Sequence, residues 1–192
     1  ARIGKTISPV SGREVKKDDV TDVVKAINEL KTGDKVLLLV AFRQMHHREI
    51  KEELHILMQK GFSRLYIDKK IVRIEDIQEQ EDIKSYLSHK TVFVLIDRLV
   101  VKPRTENRED TEDENHRMAD SVNTAFYEGE GEVIIEINGE DHLHFSNKFE
   151  MDGIKFEEPV PNLFSFNNPY GACPVCGGFS LVLGIDPDLV FP

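Results

Sequence analysis

The two cysteines of the chain lie close together, and their type and spacing suggest chemistry more directly than any other pair of residues. Cys173-Pro-Val-Cys176 is followed by two glycines, a pattern typical of a zinc knuckle. Two thiolates three positions apart can bind one metal ion, and the glycines let the backbone fold back beneath the sulfur atoms. One pair supplies only half of a tetrahedral site, so a pair of free thiols in a loop is the alternative. Cys173 and Cys176 are therefore the candidate metal ligands.

The sequence offers little support for catalysis. Gly4-Lys5-Thr6 looks like the end of a phosphate-binding loop, but Pro9 and Gly12 oppose the helix that must follow such a loop. There is no Gly-x-Ser-x-Gly elbow, His-Glu-x-x-His motif, dinucleotide fingerprint or Ser-Gly-Gly signature of ATP-cassette enzymes. Spacing singles out no carboxylate pair among the 35 acidic residues. We therefore expect this chain to be non-catalytic and to bind no ATP.

Composition restricts the class of protein. With 192 residues and 40% hydrophobic residues, the chain can form one domain of ordinary size plus an appended segment. A net charge of -10 opposes bulk attraction to DNA. Two cysteines and no signal peptide indicate a reducing, cytoplasmic setting, and no apolar run is long enough to span a membrane. The chain starts without an initiator methionine, as an internal piece of a longer protein would.

Periodicity predicts helices and strands that alternate along the first half of the chain. Asp18 or Asp19 can cap a helix that ends at Gly33, with one apolar stripe formed by Val20, Val23, Val24, Ile27 and Leu30. Residues 35–42 form an unbroken apolar run, typical of a strand buried on both faces. A second helix is predicted over residues 49–60, followed by a hairpin of residues 62–67 and 71–74.

The second half predicts a sheet completed by one long helix. Residues 75–89 indicate a loop with a short helix, and residues 91–101 a strand interrupted by Asp97 and Arg98. Buried charges are costly, so Arg98 is expected at the surface. A charged helix follows and closes at Gly129, and Asn138-Gly139 predicts a hairpin. The fold class is therefore α+β, a mainly antiparallel sheet with packed helices, plus an extended proline- and cysteine-containing segment after residue 149.

Several segments resemble one protein family. Residues 164–176 read Phe-Ser-Phe-Asn-Asn-Pro-x-Gly-Ala-Cys-Pro-x-Cys, which resembles a signature of UvrA, the damage-recognition ATPase subunit of bacterial excinuclease ABC. Ser8-Pro-Val-Ser-Gly12 stands where UvrA has Cys-Pro-x-x-Gly. Further resemblances are found at residues 61–68, 96–101 and 145–146, so the likeness covers the whole chain.

The resemblance implies an internal fragment with a role in nucleotide excision repair and the SOS response. It divides the chain into an entry segment (1–12), a UvrB-binding domain (13–148) and a return segment toward an ATPase module (149–192). UvrB is the implied partner. ATP binding, DNA contact and the UvrA homodimer would belong to other parts of the parent protein.

The resemblance also indicates candidate contact residues. Arg64 and Arg98 match arginines of the family pattern and lie on neighbouring predicted sheet elements, and Arg43 and Arg73 are further candidates. Arginine is favoured at interfaces because its planar fork can bind carboxylates with two hydrogen bonds. The alternative is that Arg64 and Arg98 are both ordinary exposed strand arginines with local salt bridges.

The same resemblance bears on whether this chain binds zinc. The UvrA pattern has a second Cys-x-x-Cys pair upstream, where residues 150–154 of this chain have no cysteine, and Ser8 and Ser11 occupy positions that are cysteine in some relatives. The spacing compels no substitute ligand from among His142, His144 and Asp152. We therefore expect no bound zinc.

A DNA-binding module is the alternative function. In that case the Cys173–Cys176 knuckle and the aromatic residues Phe164, Phe166 and Tyr170 would contact DNA, because aromatic rings can stack on bases. The net charge opposes this alternative.

Overall fold

The chain forms two compact units. The computed structural model describes residues 4–44, 47–80, 82–87, 90–103, 108–164, 172–173, 175–181 and 184, with only the backbone of residues 108–111 and 163–164. The larger unit runs from Lys17 to Lys148, and the smaller one combines residues 1–16 with residues 149–192. None of the described helices combines the length and apolar composition needed to cross a bilayer.

The described part of the larger unit contains five helices and six strands in alternating groups. In chain order they are α1 (Val20–Asn28), β1 (Lys35–Ala41), α2 (Ile50–Gln59), β2 (Arg64–Ile67), β3 (Lys70–Arg73), α3 (Ile74–Gln78), α4 (Ile83–Leu87), β4 (Val92–Val100), α5 (Arg108–Glu128), β5 (Glu132–Ile137) and β6 (Asp141–Ser146). Most of the predicted elements are present. Residues 75–89 differ from the prediction, because the described part of this stretch contains residues of two short helices, α3 and α4, rather than one.

Helix α1 begins where its capping chemistry predicts. The Asp19 carboxylate accepts from the amide of Asp22, and the Asp22 carboxylate accepts from the amide of Asp19, forming a capping box. Val23 and Ile27 bury one face of the helix. The helix ends at Asn28, earlier than the predicted Gly33, and the amide of Leu30 donates to the carbonyl of Ile27 in a tightened last turn.

The six strands form one antiparallel sheet in the order β3-β2-β4-β1-β5-β6. The buried side chains of all five helices pack in one core with alternate residues of the strands, including Val36, Leu38 and Val40 of β1. The helices therefore cover one face of the sheet, and the predicted α+β class is confirmed. Helix α5 ends directly before Gly129, where an added Cβ would clash with the carbonyl oxygen of Glu132.

A bulge in β4 determines where its two charges point. Leu38 pairs with Asp97 and Leu39 with Leu95, which leaves Ile96 without a partner on β1. Asp97 consequently shares the helix-covered face with Leu38, whereas Arg98 pairs with Leu37 on the opposite face. The surface position predicted for Arg98 is confirmed, because the residue is exposed.

The two ends of the larger unit are hydrogen-bonded to each other. The amide of Asp18 donates to the carbonyl of Ser146 at 2.7 Å, and the amide of Ser146 donates to the Asp18 carboxylate at 2.9 Å. The chain therefore enters and leaves this unit at one place.

The described part of the smaller unit has little regular structure. It contains a hairpin of β7 (Glu150–Met151) and β8 (Ile154–Lys155), an isolated bridge between Ile7 and Glu14, and a short 3-10 helix at Pro161–Phe164. Asp152 and Gly153 form the hairpin turn with φ angles of 54° and 76°, in the left-handed region.

Candidate functional site

The sheet face opposite the helices, which we name the open face, carries a small apolar cluster. Leu39, Tyr66 and Leu95 are buried there. The described apolar side chains that pack against them, Leu37, Phe93 and Ile134, also belong to strands. The aromatic rings of Tyr66 and Phe93 lie 6.5 Å apart. The open face therefore has an apolar centre built from the sheet alone.

Three of the four predicted arginines lie on the open face beside this cluster. Arg64 is two residues from Tyr66, Arg73 is the cross-strand partner of Arg64, and Arg98 is opposite Leu37. Arg73 and Arg98 are exposed, and Arg64 is half-buried. Within the described residues, none of the three has a carboxylate within ion-pair distance.

The structure places Arg43 apart from these three. It follows β1 and donates to Glu130 at 2.5 Å and to Glu132 at 2.7 Å. Its two-pronged guanidinium group is therefore already bound by carboxylates of this chain. Arg43 is therefore salt-bridged within the chain, and no such pair is found for Arg64, Arg73 or Arg98 among the described residues.

Asp97 has its own partners on the helix-covered side of the sheet. Its carboxylate accepts from the Ser121 hydroxyl at 2.8 Å and from the amide of Arg98 at 2.7 Å, and it lies 3.5 Å from the guanidinium of Arg117. The carboxylate thus forms no ion pair with the guanidinium of Arg98. Arg117 was not singled out in the sequence, because it lies within a long run of mixed charges.

The part of the open face formed by β5 and β6 carries a carboxylate and two histidines. Glu136 is opposite Leu37, its exposed fraction is 2%, and its Oε2 atom has no hydrogen-bond partner among the described residues. Burial, together with the nearby Glu136 carboxylate, raises the pKa of Tyr66. His142 and His144 are the cross-strand partners of Glu136 and Ile134. Residues two apart on a strand lie on the same face, so the spacing of Ile134 and Glu136 was the sequence signal that could have placed this carboxylate on the open face.

The cysteine pair lies in a tight turn of the smaller unit. The amide of Gly177 donates to the carbonyl of Cys173 at 2.7 Å, and Gly177 and Gly178 have φ angles of 59° and 88°. Hydrogen bonds from the backbone amides of Cys176 and Val175 hold the pKa of the exposed Cys173 thiol below its usual value. No three metal-ligating side chains cluster anywhere in the described residues. Phe166 and Tyr170 lie outside the described residues, as does the side chain of Phe164.

The two segments without cysteines meet each other in the smaller unit. The hydroxyls of Ser8 and Ser11 both donate to the same Asp152 oxygen at 2.5 Å, and Arg13 lies 3.7 Å from the other oxygen. These hydrogen bonds lower the pKa of Asp152. Two hydroxyls and one carboxylate do not match the nitrogen and sulfur ligands of a structural zinc ion. The residues are instead joined by hydrogen bonds, and we name this group the serine–aspartate clasp.

Comparison with known proteins identifies the family. The model of the UvrA interaction domain family matches residues 19–139. Similar proteins include UvrABC system protein A of Methanothermobacter thermautotrophicus (37% identical), Staphylococcus aureus (36%) and Staphylococcus epidermidis (34%). Each match covers 100% of this chain and 19% of the relative, so the chain spans about a fifth of the length of these relatives. The chain belongs to the UvrA family, and residues 19–139 form its interaction domain.

Proposed function

We propose that the larger unit is a docking module that binds UvrB during nucleotide excision repair. The observation that carries this proposal is the group of three arginines, Arg64, Arg73 and Arg98, around an apolar cluster on the sheet face that the described helices do not cover. Within the described residues, this face combines unpaired cationic groups with aromatic side chains. Arginine and aromatic residues are enriched among those that dominate binding energy.

The chemistry of the open face defines the surface it would bind. Carboxylates of the partner would pair with the arginines, and a small apolar surface would cover Phe93 and Leu37. UvrB is the partner that the family assignment suggests.

The remaining functions belong to the parent protein in this proposal. We infer that the chain itself is non-catalytic and that ATP hydrolysis, damage recognition, DNA contact and homodimer formation use other parts of a cytoplasmic parent. The cysteine pair is left without a metal role, because the described residues offer it no further ligands. No observation favours the aromatic and cysteine segment as a DNA-binding site, and the net charge of -10 opposes it.

Calorimetric titration of the chain with its cognate UvrB, without ATP or DNA, tests the proposal. We expect one-to-one binding that weakens by about 100-fold or more in the Arg64→Glu, Arg98→Glu double variant. The matched control is Lys51→Glu, Lys84→Glu, which makes the same change in charge at exposed helix positions. A change below threefold in the arginine variant would contradict the proposal, as would equal losses in both variants. A gel shift with DNA at low salt would support the DNA-binding alternative.

A further inference from the structure

Half of strand β4 lies at an unpaired edge of the sheet. Strand β2 pairs with β4 only as Leu65–Ile67 against Val94–Val92, and β2 begins at Arg64. Strand β4 continues to Val100. Residues 96–100 therefore have β1 on one side and no described strand on the other.

The direction of the backbone hydrogen bonds shows which groups this edge presents. The amide of Val101 donates to the carbonyl of Asp34, and the amide of Gly33 donates to the carbonyl of Val101, both on the β1 side. Because backbone groups alternate along a strand, Val100 directs its amide and carbonyl to the unpaired side. The amide of Arg98 is satisfied by the Asp97 carboxylate at 2.7 Å. Within the part of the chain that the structure describes, the free groups of the edge are thus centred on Val100, whose exposed fraction is 59%.

Two cavities lie along the same edge and leave room for an added chain. One, of about 300 Å³, is lined on its apolar side by Ile27, Leu99, Val101 and Met118. The other, of about 270 Å³, includes Phe62, Ser63 and Arg64. Both include Arg98 and Arg117, so they adjoin. The edge is therefore bordered by a groove rather than covered by other described elements.

We propose that this edge binds an extended acidic segment of the partner, which adds to the sheet as a further strand beside β4. Strand addition uses main-chain hydrogen bonds for affinity and alternate side chains for specificity. This inference rests on the proposed docking function and specifies how part of the partner binds.

The two faces of the sheet determine the pattern of side chains that such a segment needs. On the open face it would lie between Arg64 and Arg98, so every second residue would be acidic. On the other face it would meet Leu99, Val101 and Met118, so the intervening residues would be apolar. The unpaired length of residues 96–100 accommodates about five residues of added strand, or roughly 17 Å.

Charge selects a partner segment rather than a second copy of this chain. Of the acidic groups that line the two cavities, Asp97 pairs with Arg117 and Glu114 with Lys102, which leaves Arg64 and Arg98 in excess. Pairing of two β4 edges would bring Arg98 of one copy near Arg98 of the other, and such like-charge contacts oppose association.

Removal of a single amide tests the proposal without changing any arginine. Val100→Pro deletes the free N–H group at an edge position, where proline is tolerated, and Val100→Ala is the control that keeps it. We expect Val100→Pro to weaken UvrB binding about tenfold relative to Val100→Ala. Circular dichroism of both variants establishes that they are folded.

Hydrogen exchange of the unmodified chain gives a second measurement that does not depend on the variants. The Val100 amide should exchange rapidly in the free chain and at least about tenfold more slowly in the UvrB complex. If the arginine double variant weakens binding while Val100→Pro equals Val100→Ala and the amide stays unprotected, strand addition is wrong and docking stands. If the arginine variant has no effect either, the proposed function fails together with this inference.

Discussion

Asp97 and Arg98 are neighbours in the sequence but have separate environments on the two faces of one sheet. The carboxylate is held by Ser121 and Arg117 on the helix-covered side, whereas the guanidinium reaches solvent on the open face. The bulge at Ile96 brings Asp97 to the helical side. The Asp97 carboxylate and the Arg98 guanidinium therefore form no ion pair with each other, although the two residues are adjacent.

Asp97→Ala should destabilise the larger unit. The substitution removes the acceptor for the Ser121 hydroxyl and the Arg98 amide in a half-buried position, so we expect the free energy of unfolding to fall by about 1–3 kcal/mol. Urea denaturation measures the effect. The control, Glu140→Ala in the exposed β5–β6 turn, should change stability by less than about 0.5 kcal/mol. Equal effects would show that the Asp97 contacts contribute no more than an exposed carboxylate.

Arg73→Gln and Arg43→Gln should separate two arginines that the sequence left equivalent. Both side chains are exposed, but Arg43 is bound by Glu130 and Glu132 and Arg73 lies on the open face. We expect Arg73→Gln to reduce UvrB affinity about fivefold and Arg43→Gln to change it less than twofold. Arg43→Gln should cost at most about 1 kcal/mol of stability, because its ion pairs are exposed. The reverse order of affinities in the calorimeter would place the contact surface elsewhere.

The serine–aspartate clasp should open in acid. Because hydrogen bonds lower the pKa of Asp152 below its ordinary value of 3.8, the stabilisation is complete above that value and is lost as pH falls through the lower folded pKa. Limited proteolysis of the smaller unit from neutral pH to about pH 2 measures this opening. Asp152→Asn should be cleaved faster than the wild type at neutral pH and should show a flatter pH dependence. Identical profiles for the two proteins would argue against the clasp.

Tyr66 should make the larger unit sensitive to alkali. Burial and the Glu136 carboxylate raise the pKa of Tyr66 above its ordinary value of 10.0, so the unfolded chain releases this proton first. The resulting stabilisation is present below pH 10 and declines as pH rises further. Thermal unfolding scans from about pH 8 to pH 11 measure this loss of stability. In Tyr66→Phe the part of the loss that comes from Tyr66 should be absent. Tyr127→Phe, which changes an exposed tyrosine, is the control. A decline of equal slope in all three proteins would contradict the assignment.

Cys173 should react with alkylating agents before Cys176. It is the more exposed thiol, and backbone amides favour its thiolate form. Peptide mass spectrometry after brief treatment with iodoacetamide near neutral pH gives the order of reaction.

We also expect less than about 0.1 zinc per chain, because the described residues provide two thiolates where a structural site needs four ligands. A full equivalent of zinc, or faster reaction at Cys176, would contradict these expectations.

Local sequence patterns were sufficient for most of the sheet and for the arginine positions. The capping residue Asp19, the unbroken run of β1 and the Asn138-Gly139 turn act over a few residues, so their structure follows from nearby chemistry. The strand positions of Arg64 and Arg98 were likewise predicted from the apolar runs around them, and the family resemblance singled out the two residues. The sharing of one face by Arg64, Arg73 and Arg98 depends on strand register, which those patterns do not contain.

Features that depend on distant residues could not be predicted. The bulge at Ile96 is a register shift in the pairing of β4 with β1, and Ser8 meets Asp152 across 144 positions of sequence. The Glu130 and Glu132 partners of Arg43 are likewise 87 and 89 residues away. Each contact requires the completed fold, because no local pattern links its members.

The hydrogen bonds between Asp18 and Ser146 have an evolutionary and practical consequence. A segment whose two ends are tied together can be gained, lost or exchanged without stretching the chain on either side. Residues 17–148 can thus be exchanged as one insert. A short glycine-serine linker in their place would join the residues on either side, and replacement of the insert alone could change which partner the protein binds.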